Sequence, residues 1–415
     1  MSNARAVWTR DFFILWQGQL VSALGDVVYS IALGFWVLAA TGSTALMGSL
    51  MAATTLPRVL VSPAAGVVVD RVDRKRLLIL MDIARGVAVL LVAAAAFRHA
   101  LHVWMAFAVA VVIGLGGAFF TPGVNSVLPS IVARERLIQA NSAYSMIYTG
   151  SGIIGNSLGG FLFQLLGAPF LFFFNGLSYI VSSLTLFAVR VPPRLEPSKE
   201  QHFAADLKEG LRLAWRMKGL RTLFLTAGAL NFFGVAGITL ILPLFQKSSS
   251  LGAARYGLVM ACIMGGMFAG FASASALKFP PAVRFKVFMT CGVVSVVCWI
   301  GFALSGWYPA MLILGFLAGS LVAVLNSFIP AVVQTVVPQN MIGKVSALLF
   351  TVSGGLMPLA MAAAGGLAEA IPIRTLMSAS FVAELGCLIP LFAAPSFKRF
   401  ITFDPARDTP DSLMA

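Results

Sequence analysis

The chain has 415 residues, 59% of them hydrophobic and only 11% charged, with a mean hydropathy of +0.92. Soluble domains carry about a quarter of their residues as charged groups, and a water-soluble fold of this composition would expose large apolar patches, so a polytopic membrane protein is indicated. The net charge of +14 does not indicate a nucleic-acid partner, because the basic residues fall in short gaps between apolar runs rather than on one face. Taken in chain order, runs of the roughly 20 apolar residues needed to cross a bilayer predict spans at Phe12–Leu38, Leu46–Val68, Leu77–Phe97, Val103–Phe120, Ala140–Leu166 and Phe170–Val189. Six more follow at Leu220–Leu244, Tyr256–Leu277, Phe285–Leu304, Pro309–Val332, Val345–Ala368 and Leu376–Phe392.

The halves echo one another. NSVLP at Asn125–Pro129 returns as NSFIP at Asn326–Pro330, and GSLMA at Gly48–Ala52 returns as GLVMA at Gly257–Ala261, 201 and 209 positions later. Such offsets imply two six-helix units of like topology, an arrangement that transporters use. The expected fold is therefore an all-α membrane protein of twelve transmembrane helices in two pseudo-symmetric six-helix bundles. Residues 1–191 form the first bundle, 192–219 a cytoplasmic linker, and 220–415 the second bundle with a cytoplasmic tail. Within the linker, Leu207, Leu211 and Ala214 or Trp215 recur at helical spacing among Lys208, Arg212, Arg216 and Lys218, which predicts a basic amphipathic helix on the inner leaflet. Twenty-three Lys and Arg fall in the termini and the even-to-odd gaps, against only Arg98, Lys247, Arg255 and Arg374 in the opposite gaps. The positive-inside rule then places both termini in the cytoplasm.

Two enzyme patterns overlap in GSGIIGNSLGG, Gly150 to Gly160: a dinucleotide G-x-G-x-x-G and a hydrolase G-x-S-x-G. Neither has its context. The stretch lies inside the fifth span with no preceding strand, and His99, His102 and His202 all fall outside the bilayer core. Gly152, Gly155 and Gly159 share one helix face and read as a small-residue packing seam. Cys262, Cys291, Cys298 and Cys387 sit in apolar runs without C-x-x-C spacing, so no disulfide framework and no metal site is expected. Met1–Arg10 lacks a short apolar core followed by small residues, so no cleaved leader is expected.

The gap between the second and third spans, GVVVDRVDRKR, resembles motif A of the major facilitator superfamily through Gly66, Asp70, Arg71, Arg74 and Lys75, with Asp73 where that motif has glycine. The stretch from Gly150 is similar to the family's motif C, with Asn156 in place of a proline. Together with LVSALGDVVYSIAL in the first span and the stretch ending at Pro129, the whole chain resembles the drug:H+ antiporter branch, near macrolide and enterobactin-type exporters. The resemblance implies a central cavity, alternating access, and a cytoplasmic latch at motif A. In that latch Asp70 would accept hydrogen bonds at a helix N-terminus, and Arg71, Arg74 and Lys75 would tie the loop to acidic groups or lipid phosphates. For Arg74 and Lys75, setting topology alone is the competing role.

Ionisable groups inside the spans each need a reason. Asp26 shares a helix face with Gln19 and Ser22, flanked by Tyr29, and Arg58 lies midway along the second span. Counted from the cytoplasmic ends, Asp26 lies about 21 Å deep and Arg58 about 15 Å, a gap that an arginine side chain spans, so an Asp26–Arg58 ion pair is expected. Two roles stand open for it: proton coupling through Asp26, or a permanent pair that fixes helix packing. Asp82 and Arg85 are spaced to pair on the third span and to bridge to motif A; Glu384 in the twelfth span has no evident partner and is expected to turn inward. The family places Asn125, Asn231 and Asn326 along the cavity, with Gln19, Ser22, Tyr29, Tyr144 and Tyr148 as further substrate contacts.

The functional expectation is a proton-coupled exporter of small amphipathic molecules. It would be monomeric in a bacterial plasma (inner) membrane, with protons and membrane lipids as its other partners and no cofactor. A lipid or lysolipid flippase, or an uncoupled importer, fits the same fold. An intramembrane enzyme or scaffold subunit is disfavoured, because no Ser/His, HExxH or paired-carboxylate constellation is visible. The charge asymmetry predicts that green fluorescent protein fused at the C-terminus fluoresces, whereas alkaline phosphatase fused there stays inactive; active phosphatase would overturn the topology.

Overall fold

Three short polar side chains stand where the first three apolar runs begin, and each caps a helix. In the computed structural model, Thr9 Oγ1 accepts from the Phe12 amide at 3.2 Å, Ser43 Oγ from Leu46 at 3.1 Å and Asp73 Oδ1 from Arg76 at 3.1 Å. Each satisfies one of the amides that a helix start leaves free. The structure describes residues 8–133, 136–191, 211–213, 215–248, 251–276, 279–337, 342–404 and 408, so most of the linker and its expected amphipathic helix lie outside the described residues.

Spans 1 to 4 are the helices Arg10–Thr41, Thr44–Arg71, Arg74–Phe97 and Val103–Ile131. Spans 5 and 6 run as one stretch, Leu137–Ala188, broken at Gly167, where φ is +74° two residues before Pro169. A left-handed backbone followed by a proline turns the chain within a residue or two, and glycine adopts it without strain. Span 7 is Lys218–Thr239 continued by Ile241–Gln246; spans 8, 9 and 10 are Gly252–Ala276, Pro281–Leu304 and Tyr308–Val336. Span 11 joins Ile342–Gly355 to Met357–Leu367, and span 12 joins Ile373–Cys387 to Ile389–Ala393, with Pro358 and Pro390 at the joints. Among the described residues this makes twelve helical spans, as expected. Span 4 is longer than expected, ending at Ile131 rather than Phe120, because Pro122 and Pro129 are accommodated inside it. Ser126 and Ser130 hydroxyls bond back to the Gly123 and Val127 carbonyls at 2.8 and 2.6 Å, so the polar stretch stays helical.

The chain forms two compact units: residues 1–201 with 245–261, and residues 202–244 with 262–415. In the first, helices meet where glycines remove side-chain bulk. Gly25 of span 1 lies against Asn175 and Ser178 of span 6, Gly86 of span 3 against Ile180 and the Gly176 carbonyl of span 6, and Gly114 of span 4 against the Thr54 carbonyl of span 2. The face from the glycine-rich stretch packs as a seam: Gly155 meets Val27, and Gly159 meets Ile31, both on span 1. An apolar core built on Phe12, Leu15, Leu78, Val124, Leu128 and Ile147 fills one end of this unit. In the second unit, Gly266 and Gly270 of span 8 lie against the Phe316 and Ser320 carbonyls of span 10, while Gly234 and Gly237 of span 7 lie against Glu384 and Phe381 of span 12.

These close approaches predict unequal effects for equal substitutions. A Cβ on Gly86 would come within 2.7 Å of Ile180 Cδ1, whereas one on Gly150 meets nothing within 4 Å. Gly86→Val is expected to lower the melting temperature in detergent, at a cost of about 1–3 kcal/mol for overpacking. Gly150→Ala is expected to leave it unchanged or raise it, since alanine gains up to about 1 kcal/mol over glycine in a helix.

Candidate functional site

Span 6 carries Asn175, Ser178, Tyr179 and Ser182, a polar stripe at i, i+3, i+4 and i+7 in a mostly apolar helix. That stripe is buried, and it meets the polar faces of spans 1 and 3. Arg85 Nη2 pairs with Asp82 Oδ1, with both residues buried, and the Ser182 hydroxyl donates to Asp82 Oδ2 at 2.7 Å. Gln19 Nε2 of span 1 donates to the Ser182 hydroxyl at 2.9 Å, and the Tyr144 hydroxyl of span 5 reaches Gln19 Oε1 at 3.5 Å and the Tyr148 hydroxyl at 3.3 Å. On the other flank, the Arg85 guanidinium lies 4.3 Å from the centre of the Tyr179 ring and 4.7 Å from that of Phe120, within cation–π range. The Tyr179 hydroxyl then donates to Asp26 Oδ1. A single polar network therefore links Asp26 to Tyr148 through spans 1, 3, 5 and 6.

Several sequence expectations meet different surroundings. No Asp26–Arg58 ion pair forms: among the described residues the ion pairs are Arg85–Asp82 and the exposed Arg76–Asp73. Arg58 turns to span 4, with Nη2 3.4 Å from Thr121 Oγ1 and its stem along Gly117, because spans 2 and 4 pack together while the Asp26 carboxylate faces span 6. Among the described residues, Asp82 and Arg85 bridge to spans 4 and 6 and to no side chain of motif A. The side chains at Gly66, Asp70 and Arg71 lie outside the described residues. Lys75 Nζ donates to the Phe187 and Val189 carbonyls at 2.8 Å each, and Arg74 Nη1 to the Ser126 carbonyl at 2.9 Å. Lys75 thereby holds main-chain oxygens at the end of span 6, where the helix dipole favours positive charge, and Arg74 holds one five residues before the end of span 4.

The expected substrate contacts divide by exposure. Gln19, Ser22, Tyr29 and Tyr144 are buried, the first and last inside the network, while Tyr148 is half exposed and Asn125 and Asn326 are exposed. Tyr29 packs its ring against Phe172 at 5.2 Å. Asn231 bonds back to the Ala227 carbonyl at 3.0 Å on its own helix. Of the three seam glycines, Gly152 is half-buried and its carbonyl accepts from Asn156 Nδ2 at 2.7 Å. Glu384 faces span 7, so close to Gly234 that a methyl there would stand 3.2 Å from Oε1, and its Oε2 is buried without a hydrogen-bond partner.

Comparison with known proteins gives the arrangement a context. A family model described as Major Facilitator Superfamily matches residues 15–362. Macrolide efflux protein A of Streptococcus pyogenes is 25% identical over 397 residues, which cover 91% of this chain and 91% of that protein. Multidrug efflux pump Tap of Mycobacterium tuberculosis is 26% identical over 372 residues, 86% of this chain and 87% of the pump. Among solved structures, a bacterial homologue of the iron transporter ferroportin in an inward-facing state superposes with a TM-score of 0.70 at 16% identity, covering 92% of this chain and 98% of that one. A bacterial homologue of the lysosomal transporter Spinster gives 0.68 at 17% identity, covering 96% and 98%. At such identities the structural likeness speaks to the fold alone.

The ion pair predicts a thermodynamic cycle. Asp82→Asn leaves Arg85 buried without its counter-ion and is expected to destabilise the protein by about 3–5 kcal/mol. Asp82→Leu with Arg85→Met is expected to recover most of that loss, as read from unfolding in detergent. Single variants as stable as the wild type would show that the pair contributes nothing.

Proposed function

The chain belongs to the Major Facilitator Superfamily, and on that footing we propose that it exports small amphipathic molecules of the drug, macrolide or siderophore type by alternating access, in exchange for protons. It is a multi-pass membrane transporter and not an enzyme. Efflux as the direction is supported by the macrolide and multidrug exporters that match nearly the whole chain. The setting proposed is the bacterial inner membrane, in keeping with the bacterial exporters that match the chain, with a monomer as the working unit; both termini cytoplasmic agrees with the distribution of Lys and Arg. Residues 192–219 serve in this reading as the linker between a first and a second bundle.

One observation carries the proton. Inside the first unit two carboxylates lie near one guanidinium: Asp82 holds the ion pair with Arg85, and Asp26 accepts from the neutral phenol of Tyr179. Ionised throughout, the cluster carries one surplus negative charge, and a single proton on Asp26 neutralises it. Protonation also replaces a charge-assisted hydrogen bond by a neutral one of roughly half the strength. The tether between span 1 and span 6 therefore slackens when the proton arrives and tightens when it leaves. That couples occupancy at Asp26 to the hold between two helices, which is what an exchanger needs from a proton site.

The test is transport by the purified protein in proteoliposomes with an imposed pH gradient. The wild type is expected to accumulate an amphipathic substrate against its gradient. Asp26→Asn is expected to fall to the level of protein-free vesicles while still exchanging labelled for unlabelled substrate without a gradient. Tyr179→Phe, which removes one hydrogen bond to a charged group worth about 1.5–3 kcal/mol, is expected to reduce gradient-driven uptake in part. Undiminished gradient-driven transport by Asp26→Asn would sink the coupling role. A wild type indifferent to the pH gradient would point instead to an uncoupled carrier or a lipid flippase.

A further inference from the structure

Among the described residues, Arg284 is the one charged side chain on the wall of a cavity in the second unit, and its surroundings fix it there. It stands in the first turn of span 9, which Pro280 and Pro281 open with no side-chain cap. Helical side chains lean back toward the start of their helix, and this lean brings Arg284 Nε to the Phe279 carbonyl at 3.1 Å. Nη1 donates to the Phe403 carbonyl at 3.2 Å, just past the short helix Pro395–Ile401. Phe403 is buried, as are Phe397, Phe400 and Ile401 of that helix. The guanidinium is thus pinned from two directions against packed chain.

Those two bonds neutralise no charge. Arg284 belongs to neither ion pair found among the described residues, and its Nη2 donates to none of their oxygens. The outer edge of the planar group therefore stays available, and that is the edge that grips an oxyanion. Beside it the cavity, of about 200 Å³, is lined by Ala274 near the end of span 8, by Phe279, and by Ser327, Phe328 and Val332 toward the end of span 10. The Phe279 and Phe328 rings lie 5.2 Å apart and make an apolar wall. Volume decides the class of ligand: pockets that enclose a drug-sized molecule run to about 300–1,000 Å³, so this one suits a headgroup and not a cargo. Position agrees, because two span ends and one span start meet here, at the level of a membrane surface. Lys398 Nζ, 5.8 Å from the centre of the Phe285 ring, adds a second cation beside the residue that follows Arg284.

We propose that Arg284 and this cavity seat the phosphate of an anionic membrane lipid whose acyl chains stay in the bilayer. Basic pockets between spans at a membrane surface take such headgroups, and the phosphate supplies the counter-charge that no described carboxylate gives Arg284. The lipid is a resident ligand and not the exported molecule, so the inference goes beyond the export reading and does not rest on it.

The experiment is native mass spectrometry of the full chain, delipidated in a neutral detergent and titrated with phosphatidylglycerol or, separately, with phosphatidylcholine. The wild type is expected to retain phosphatidylglycerol at concentrations that leave no phosphatidylcholine bound. Arg284→Gln is expected to weaken that binding on the order of tenfold or more, the loss of a charged partner to the phosphate. Arg98→Gln, at an exposed cation on another helix end, is expected to bind as the wild type does. Should Arg284→Gln fail to fold, Ser327→Leu carries the test: it fills the cavity, keeps the cation, and is expected to show the same loss. Equal binding of phosphatidylglycerol by the wild type and whichever of these two variants is folded overturns the proposal, and so does a wild type that holds both lipids alike. Free glycerol phosphate is not expected to displace the lipid at equal concentration; displacement would overturn the lipid as the source of the phosphate and show a site for a soluble anion.

Discussion

Inside a bilayer a leucine gains almost nothing by leaving lipid for another helix, because both surroundings are equally apolar. Which spans pair must then be decided by close backbone approach and by polar groups that lipid cannot satisfy. Both devices converge on span 6 of this protein. Gly25 of span 1 and Gly86 of span 3 each clear a path for span 6, and the same two helices supply Asp26 and Asp82, which accept from Tyr179 and Ser182 of span 6. The apolar cluster around Phe12, Leu78 and Val124 packs because those choices have been made. It fills space that the polar contacts define.

The basic residues of the loops act twice, at two length scales. Summed over the chain they set orientation through the membrane, for which only their side of the bilayer matters. Individually, some of them finish helices. Lys75 takes the last carbonyls of span 6, and Arg374 takes the Ala303 carbonyl at 2.9 Å where span 9 ends. Asp73 completes the set at the opposite helix pole by capping the start of span 3. An aspartate in place of the family's glycine at this position therefore has a local account: it supplies the acceptor that the first turn of span 3 lacks.

The twelve spans were legible because bilayer thickness imposes one length on every crossing, and the halves because offsets near 205 recur in several motifs. The partner of Asp26 was not legible in the same way. Counting residues along span 1 and span 2 gives depth, and Arg58 matches Asp26 tolerably in depth, but depth leaves azimuth free. Azimuth is settled by which helix presents a complementary face, and that face belongs to span 6, with Tyr179 lying 153 positions from Asp26 in sequence. A signal for it existed. Asn175, Ser178, Tyr179 and Ser182 recur at helical spacing in a span with no other need for polarity, and reading that stripe against Gln19, Ser22 and Asp26 would have paired the two helices. Asp82 and Arg85 were legible as a pair from their i, i+3 spacing, yet their burial depends on Ser182 and Phe120, which no local pattern on span 3 reveals.

Duplication of a six-helix unit starts both halves with the same corner between the first and sixth helices, and the two glycines at that corner, Gly25 and Gly234, still stand 209 positions apart. From there the halves diverged in how the corner handles charge. In the first half, a carboxylate on span 1 is answered by a phenol and, one step further, by a guanidinium that already serves another carboxylate. One guanidinium therefore stands near two carboxylates, and the ion pair goes to Asp82. In the second half the carboxylate stands on the twelfth span at the place of Asn175, and its Oε2 is buried without a hydrogen-bond partner. The same glycine corner therefore seats a carboxylate on the first helix of one half and on the sixth helix of the other.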